Sequence, residues 1–69
     1  MTEYAVIYEQ AGDGSWSASA ADLPVFAVGD TLEEAETEIR SAIAFYVDEL
    51  RRRGERVPEP TNVVGTVNV

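Results

Sequence analysis

The feature that most constrains the fold is the segment from Gly29 to Ala35, which carries the signals of a helix start. Thr31 precedes Glu34 by three residues, which is the spacing of a capping box. We expect the Thr31 hydroxyl to accept a hydrogen bond from the Glu34 backbone N–H, and the Glu34 carboxylate to accept one from the Thr31 N–H. Two donors that a helix start leaves unpaired are thereby satisfied. The segment predicts that a long helix begins here and that shorter elements precede it.

Three short strands are predicted before this helix. β-branched and aromatic residues recur over residues 4–9, and Trp and Ala alternate with Ser over residues 15–20. The turn between them contains two glycines and an aspartate, which adopt turn conformations readily. Residues 25–28 form the third predicted strand, directly after Pro24. Apolar residues lie on both faces of the first strand, so one face is a candidate for coverage by another subunit.

The helix is predicted over residues 32–53, and a final strand over residues 62–69. Six apolar residues of the helix recur every three or four positions and are expected to face the sheet: Ala35, Ile39, Ala42, Ile43, Tyr46 and Leu50. Gly54 suits the position after the helix, and two prolines stiffen the connector that follows. The order β-β-β-α-β predicts a single α+β domain over residues 1–69, with one helix packed on a small, mainly antiparallel sheet.

The composition argues against several classes of function. The chain has 69 residues, with 13 acidic and five basic ones, and a net charge of −8. Because binding to phosphate backbones needs clustered Lys and Arg, we expect no direct nucleic-acid binding. The sequence contains neither Cys nor His, so the usual zinc ligands and the ordinary activating base of a nucleophile are missing. We therefore expect no catalytic residues, no metal and no cofactor.

Size and the N-terminal sequence indicate how the domain is stabilised and where it acts. A core this small supplies only a few kcal/mol, and a domain without disulfides or metal often gains stability by self-association. We therefore expect a homo-oligomer, a dimer or a tetramer. The N-terminal residues include no basic segment and no long apolar run, so we expect no membrane segment and a cytoplasmic location.

Three residues are candidates for contact with a partner. Glu9 and Asp22 lie near predicted strand ends, and their charge suits a basic partner. Trp16 is either a core residue or an anchor at an interface, where Trp is enriched. For Asp22 a turn role competes with partner binding, because Asp is common in turns. The Glu-rich first turns of the helix either face a basic partner or form a solvated helix face.

Five motifs, in order, resemble those of the HicB-like antitoxin family. They are an aromatic-bearing first strand, a hairpin with Asp, Gly and an aromatic, an Asp-Leu-Pro step, the helix start and a Pro-x-Pro after the helix: residues 4–9, 13–16, 22–24, 29–35 and 58–60. The resemblance implies a degraded RNase H-like fold without nuclease activity. It also implies a partner, a small basic HicA-type toxin that cleaves RNA and that the antitoxin neutralises.

The sequence departs from the family pattern in two places. Many relatives continue into a C-terminal DNA-binding segment, whereas this chain ends at Val69, so a short form without direct DNA contact is expected. Val25 and Phe26 stand where many relatives have Gly and a small residue or Cys. The leading prediction is a non-catalytic antitoxin-like protein. The alternatives are a solitary HicB-like oligomer without a toxin and a divergent metal-dependent nuclease, the latter suggested by the many carboxylates.

Overall fold

Three antiparallel strands and one helix make up the fold of a computed structural model that describes residues 2–69. The elements are β1 (Val6–Gln10), β2 (Trp16–Ala20), β3 (Phe26–Gly29) and α1 (Leu32–Arg52). The strands form one sheet in the order β1-β2-β3, in which both neighbouring pairs are antiparallel. This arrangement confirms the predicted α+β class, and each of these elements lies within two residues of its predicted bounds.

The β1–β2 hairpin is set by a turn in which Asp13 and Gly14 have separate roles. Gly14 adopts a φ of +91°, a conformation that residues with a Cβ rarely take. The Asp13 carboxylate accepts hydrogen bonds from the Ser15 hydroxyl at 2.6 Å and the Ser15 backbone N–H at 3.0 Å. Both bonds lower the pKa of Asp13 below its ordinary value, and the bond from the Ser15 hydroxyl has the larger effect. The turn fixes a register in which Gln10 lies opposite Trp16.

That register gives the sheet an inner face that packs on α1. Tyr8, Ala18 and Ala27 form one cross-strand row on this face, and Ala18 is only 1% exposed. Ala18 forms the core with Ala35 and Ile39 of α1. Because Ala18 and Ala35 have small side chains, the helix lies close to the sheet. Six half-buried side chains surround the core: Val6, Tyr8, Trp16, Val25, Ala27 and Ile43.

The outer face of the sheet remains exposed in the single chain. One cross-strand row consists of Ile7, Ser19 and Phe26, and the next row contains Ser17 and Val28. The side chains of Ile7, Phe26 and Val28 are all more than half exposed. The apolar residues on both sheet faces are thus observed, and coverage of the outer face by another subunit stays a prediction.

The helix ends in a Schellman motif, as Gly54 led us to expect. Gly54 has a φ of +70°, and its N–H donates to the Arg51 carbonyl at 3.1 Å. The Glu55 N–H donates to the Leu50 carbonyl at 2.8 Å. These two bonds satisfy carbonyls that the last turn would otherwise leave unpaired. Arg53 is the C-cap residue, so the helix is one residue shorter than predicted.

The final strand predicted over residues 62–69 is absent from the described residues, in which the chain after α1 has no regular structure. Val63 is 95% exposed and Val67 86%. The radius of gyration is 13.4 Å, whereas a compact chain of this length has about 11 Å. A strand requires hydrogen bonds from a neighbouring backbone, and residues 2–69 of the single chain supply no ladder of them to this segment. High β-propensity alone is therefore insufficient to form the strand.

Candidate partner-binding surface

The start of α1 carries the predicted cap with one change. Thr31 is the N-cap residue, and its hydroxyl accepts from the Glu34 N–H at 3.1 Å. The Glu34 carboxylate accepts from the Asp30 N–H at 2.9 Å, instead of from the predicted Thr31 N–H. The chain before the cap lies close to the first turn, since a Cβ built on Gly29 would lie 2.6 Å from the Ala35 nitrogen. This close approach brings the Asp30 N–H within reach of Glu34.

An acidic groove of about 490 Å³ lies between the end of β3 and the first half of α1. Its lining consists of Val28, Gly29, Glu33, Glu34, Thr37 and Glu38. The three glutamates are exposed, and only Glu34 is held by the cap. The sequence placed these acids on the helix but gave no sign that Val28, whose side chain lies on the outer face of the sheet, also lines the groove. The groove offers carboxylates and apolar surface to the same partner.

Asp22 anchors the C-terminal segment to the end of β2. Its Oδ1 accepts from the Thr61 hydroxyl at 2.7 Å and from Asn62 Nδ2 at 2.8 Å. Its Oδ2 accepts from the Thr61 N–H at 3.1 Å and from the Asn62 N–H at 3.3 Å. The Thr61 hydroxyl bond is the main cause that lowers the pKa of Asp22 below its ordinary value. Sequence analysis missed this role because the partners lie about forty positions away along the chain.

The other two predicted contact residues lie at the opposite end of the sheet from Asp22. Glu9 is exposed on the outer face, where Ser17 lies opposite it. Trp16 is half-buried on the inner face and packs against the core, so the structure shows its core role directly. Trp16 begins β2 and Asp22 lies two residues beyond its end, so the strand itself, about 13 Å from Trp16 to Ala20, separates them. Glu9, Trp16 and Asp22 therefore do not form one cluster.

A second groove, of about 790 Å³, lies between β1 and α1 and is called here the β1 groove. The helix packs mainly over β2 and β3, which leaves the inner side of β1 open. Its apolar lining includes Val6, Tyr8, Ile39 and Ile43. Residues 62–64 lie at the groove, next to the point where the Tyr4 hydroxyl donates to the Pro58 carbonyl at 2.6 Å. The C-terminal segment thus leaves the domain beside β1.

A metal site and a membrane-spanning helix are both absent from residues 2–69, the described part of the chain. Within it, no group of three or more Asp or Glu side chains is arranged to hold a metal ion. No helix there combines the length and the apolar character that crossing a membrane requires.

Together these features define a small acidic α+β domain with two open surface grooves. The family model described as "HicB_like antitoxin of bacterial toxin-antitoxin system" matches residues 4–68. The chain belongs to this family, as its motifs predicted, because the match extends from the residues before β1 into the C-terminal segment. No match was found among the curated proteins or the solved structures. Family membership indicates a role in a toxin–antitoxin system.

Proposed function

We propose that the protein is a non-catalytic, cytoplasmic antitoxin that self-associates and that binds and neutralises a small basic HicA-type toxin, which cleaves RNA. Membership of the antitoxin family supports the general role. The observation that supports this particular partner is the acidic groove beside β3. It presents Glu33 and Glu38 as exposed carboxylates, and Val28 at the end of β3 also lines it.

The distribution of charge along α1 favours the acidic groove as the contact. Glu33, Glu34, Glu36 and Glu38 lie in the first two turns, whereas Arg51 and Arg52 lie in the last turn. A helix of 21 residues separates its two ends by about 30 Å, well beyond the screening length of roughly 8 Å at physiological salt. A basic toxin is therefore attracted to the N-terminal half of α1, where four glutamates outnumber one arginine, Arg40, and the arginines of the last turn are too distant to repel it.

The mechanism that follows is occlusion. Glu33 and Glu38 pair with Lys or Arg side chains of the toxin, and Val28 packs against an apolar residue beside them. A toxin that cleaves RNA needs its basic surface to hold the phosphate backbone. Covering that surface removes the binding of RNA without any chemical step by the antitoxin.

The three residues proposed from the sequence have different access to such a partner. Glu9 keeps an exposed carboxylate on the outer face, and we retain it as a peripheral contact. Trp16 packs against the core, and Asp22 is occupied by Thr61 and Asn62. We propose that Trp16 and Asp22, which are both half-buried, contact the toxin through the parts of their side chains that remain exposed.

The test is calorimetric titration of the protein with a purified small basic toxin at low salt. We expect binding that weakens as salt rises and that prevents the toxin from cleaving RNA. The double variant Glu33→Gln/Glu38→Gln should bind about tenfold more weakly, because two exposed charge pairs are lost.

The matched control is the double variant Glu55→Gln/Glu59→Gln, which removes the same charge from exposed positions after α1. This control should bind nearly as well as the unmodified protein. Equal weakening in both double variants would show that net charge, and not the acidic groove, attracts the toxin. A lack of binding by the unmodified protein at low salt would overturn the proposed function.

A further inference from the structure

We propose that residues 62–69, called here the tail, add as a strand to the free edge of β1 in a second copy of the chain, and that the two copies exchange tails. This inference rests on the self-association included in the proposed function. It names the surface and the occupant, which neither the family match nor the fold assigns.

The tail has the pattern of a half-buried strand. Val63, Val67 and Val69 share one face in an extended conformation, with Gly65 between them. Asn62, Thr66 and Asn68 lie on the other face, where Val64 is the one apolar residue. Alternation of this kind, interrupted at Val64 and Gly65, is typical of a strand with one apolar surface to bury.

In the single chain this apolar face is left in solvent. Val63, Val67 and Val69 are each more than 80% exposed. The start of the tail is nevertheless fixed, because the Thr61 and Asn62 N–H groups are bonded to Asp22. The tail therefore leaves the domain from a defined point, and its remaining backbone groups are available to another strand.

The β1 edge and the β1 groove offer a matching surface. β1 is an outer strand of the sheet, so its far edge carries no neighbouring strand among residues 2–69. Edges of this kind accept an added strand through backbone hydrogen bonds. Val6 and Tyr8 of β1 line the groove together with Ile39 and Ile43 of α1. A strand added at this edge places one of its faces over that apolar lining.

Charge favours a second copy as the occupant. Each chain carries a net charge of −8, so two copies repel one another except through uncharged surface. The tail contains no charged side chain, and the apolar part of the groove that it would cover is uncharged, although Glu3, Glu36 and Arg40 also line the groove. A basic toxin instead selects carboxylates, six of which lie on α1. Reciprocal exchange gives both copies the same contact and closes a two-fold dimer.

The experiment measures molar mass by light scattering over a dilution series, together with the exchange of backbone amides. The unmodified chain should be a dimer in which the amides of the tail and of β1 are protected. Val67→Lys puts a charge on the apolar face of the tail in both copies. It should raise the dimer dissociation constant by at least about a hundredfold, from two lost valine contacts.

Asn68→Lys is the matched control, because it adds the same charge to the neighbouring residue on the polar face. This variant should remain a dimer. Both substitutions lie outside the helix and strands, and unchanged circular dichroism confirms that both variants fold. Toxin binding by the Val67→Lys monomer would show that the proposed function holds separately from tail exchange.

Three results would overturn the tail exchange. The first is a monomeric mass for the unmodified chain at every concentration. If the amides of the tail are protected in that monomer, the tail pairs within its own chain. The second is equal loss of the dimer in Val67→Lys and Asn68→Lys. The third is a dimer that survives Val67→Lys but not Phe26→Lys, which would place the contact on the outer face of the sheet.

Discussion

At the scale of single residues, Gly29 lies close against the first turn of the helix. A Cβ at this position would lie 2.6 Å from the Ala35 nitrogen and 2.8 Å from the Glu34 Cβ. Both atoms belong to the first turn of α1, and the backbone nitrogen cannot rotate away. The approach also places the Asp30 N–H beside the Glu34 carboxylate. Gly29 thus links the end of β3 to the cap of the helix.

We predict that Gly29→Ala lowers the free energy of unfolding by about 1–3 kcal/mol, the usual cost of overpacking. Gly12→Ala is the control, because a Cβ there has no atom within 4 Å and its φ is not positive. Its effect should stay within about 0.5 kcal/mol. Chemical denaturation followed by circular dichroism measures both, and equal stabilities for the two variants would contradict the close approach.

The Thr31 cap supports a second prediction. Thr31→Ala removes the acceptor of the Glu34 N–H and should cost about 0.5–2 kcal/mol of stability. Thr37→Ala, six residues later in the same helix, should be neutral or stabilising, because Ala has the higher helix propensity. Denaturation curves for the pair test the cap, and a greater loss in Thr37→Ala would argue against it.

The Asp22 anchor predicts a pH dependence. The pKa of Asp22 is lower in the folded chain than its ordinary value of 3.8, so ionised Asp22 favours the anchored state. This contribution is complete above the ordinary value and is lost as the pH falls through the lowered one. The amides of Thr61 and Asn62 should therefore be protected from exchange at neutral pH and released in strong acid.

Asp22→Ala should release the same two amides at neutral pH. Asp13→Ala is the matched control, because the pKa of Asp13 is also lowered but its partner is the nearby Ser15. The amides of Thr61 and Asn62 should keep their protection in this control. Unchanged exchange in Asp22→Ala would contradict the anchor.

At the scale of elements, α1 supplies much of the core through one buried stripe. Ile39 is 2% exposed and packs with Ala18 and Ala35, whereas Phe45 on the same helix is 70% exposed. We predict that Ile39→Ala costs about 2–5 kcal/mol, enough to unfold much of a domain whose core supplies roughly 3–5 kcal/mol. Phe45→Ala should change thermal stability little, and a reversed order would contradict the packing.

Sequence predicted these elements well where their determinants are local. Thr31 and Gly54 set the ends of α1 through bonds to residues at most five positions away. The Asp13 turn likewise sets the hairpin register. The tail was predicted as a strand from its β-branched residues, but the described part of the single chain provides no partner strand for it. The Asp22–Thr61 contact and both grooves depend on packing between distant segments, which spacing along the sequence does not specify.

At the scale of the whole molecule, the proposed functions use separate surfaces. The acidic groove lies between β3 and the start of α1, and the β1 groove lies at the other edge of the sheet. The helix covers β2 and β3, which separates the two grooves. A toxin and a second copy of the chain can therefore bind together. Loss of the dimer should leave the acidic groove intact.

Light scattering on size-separated protein, alone and mixed with a purified small basic toxin, measures self-association and toxin binding together. We predict a dimer alone and a heavier mixed complex with the toxin, which Glu33→Gln/Glu38→Gln weakens and Glu55→Gln/Glu59→Gln does not. An elution and mass that the toxin leaves unchanged at low salt would contradict the antitoxin function, whatever the oligomeric state of the protein alone.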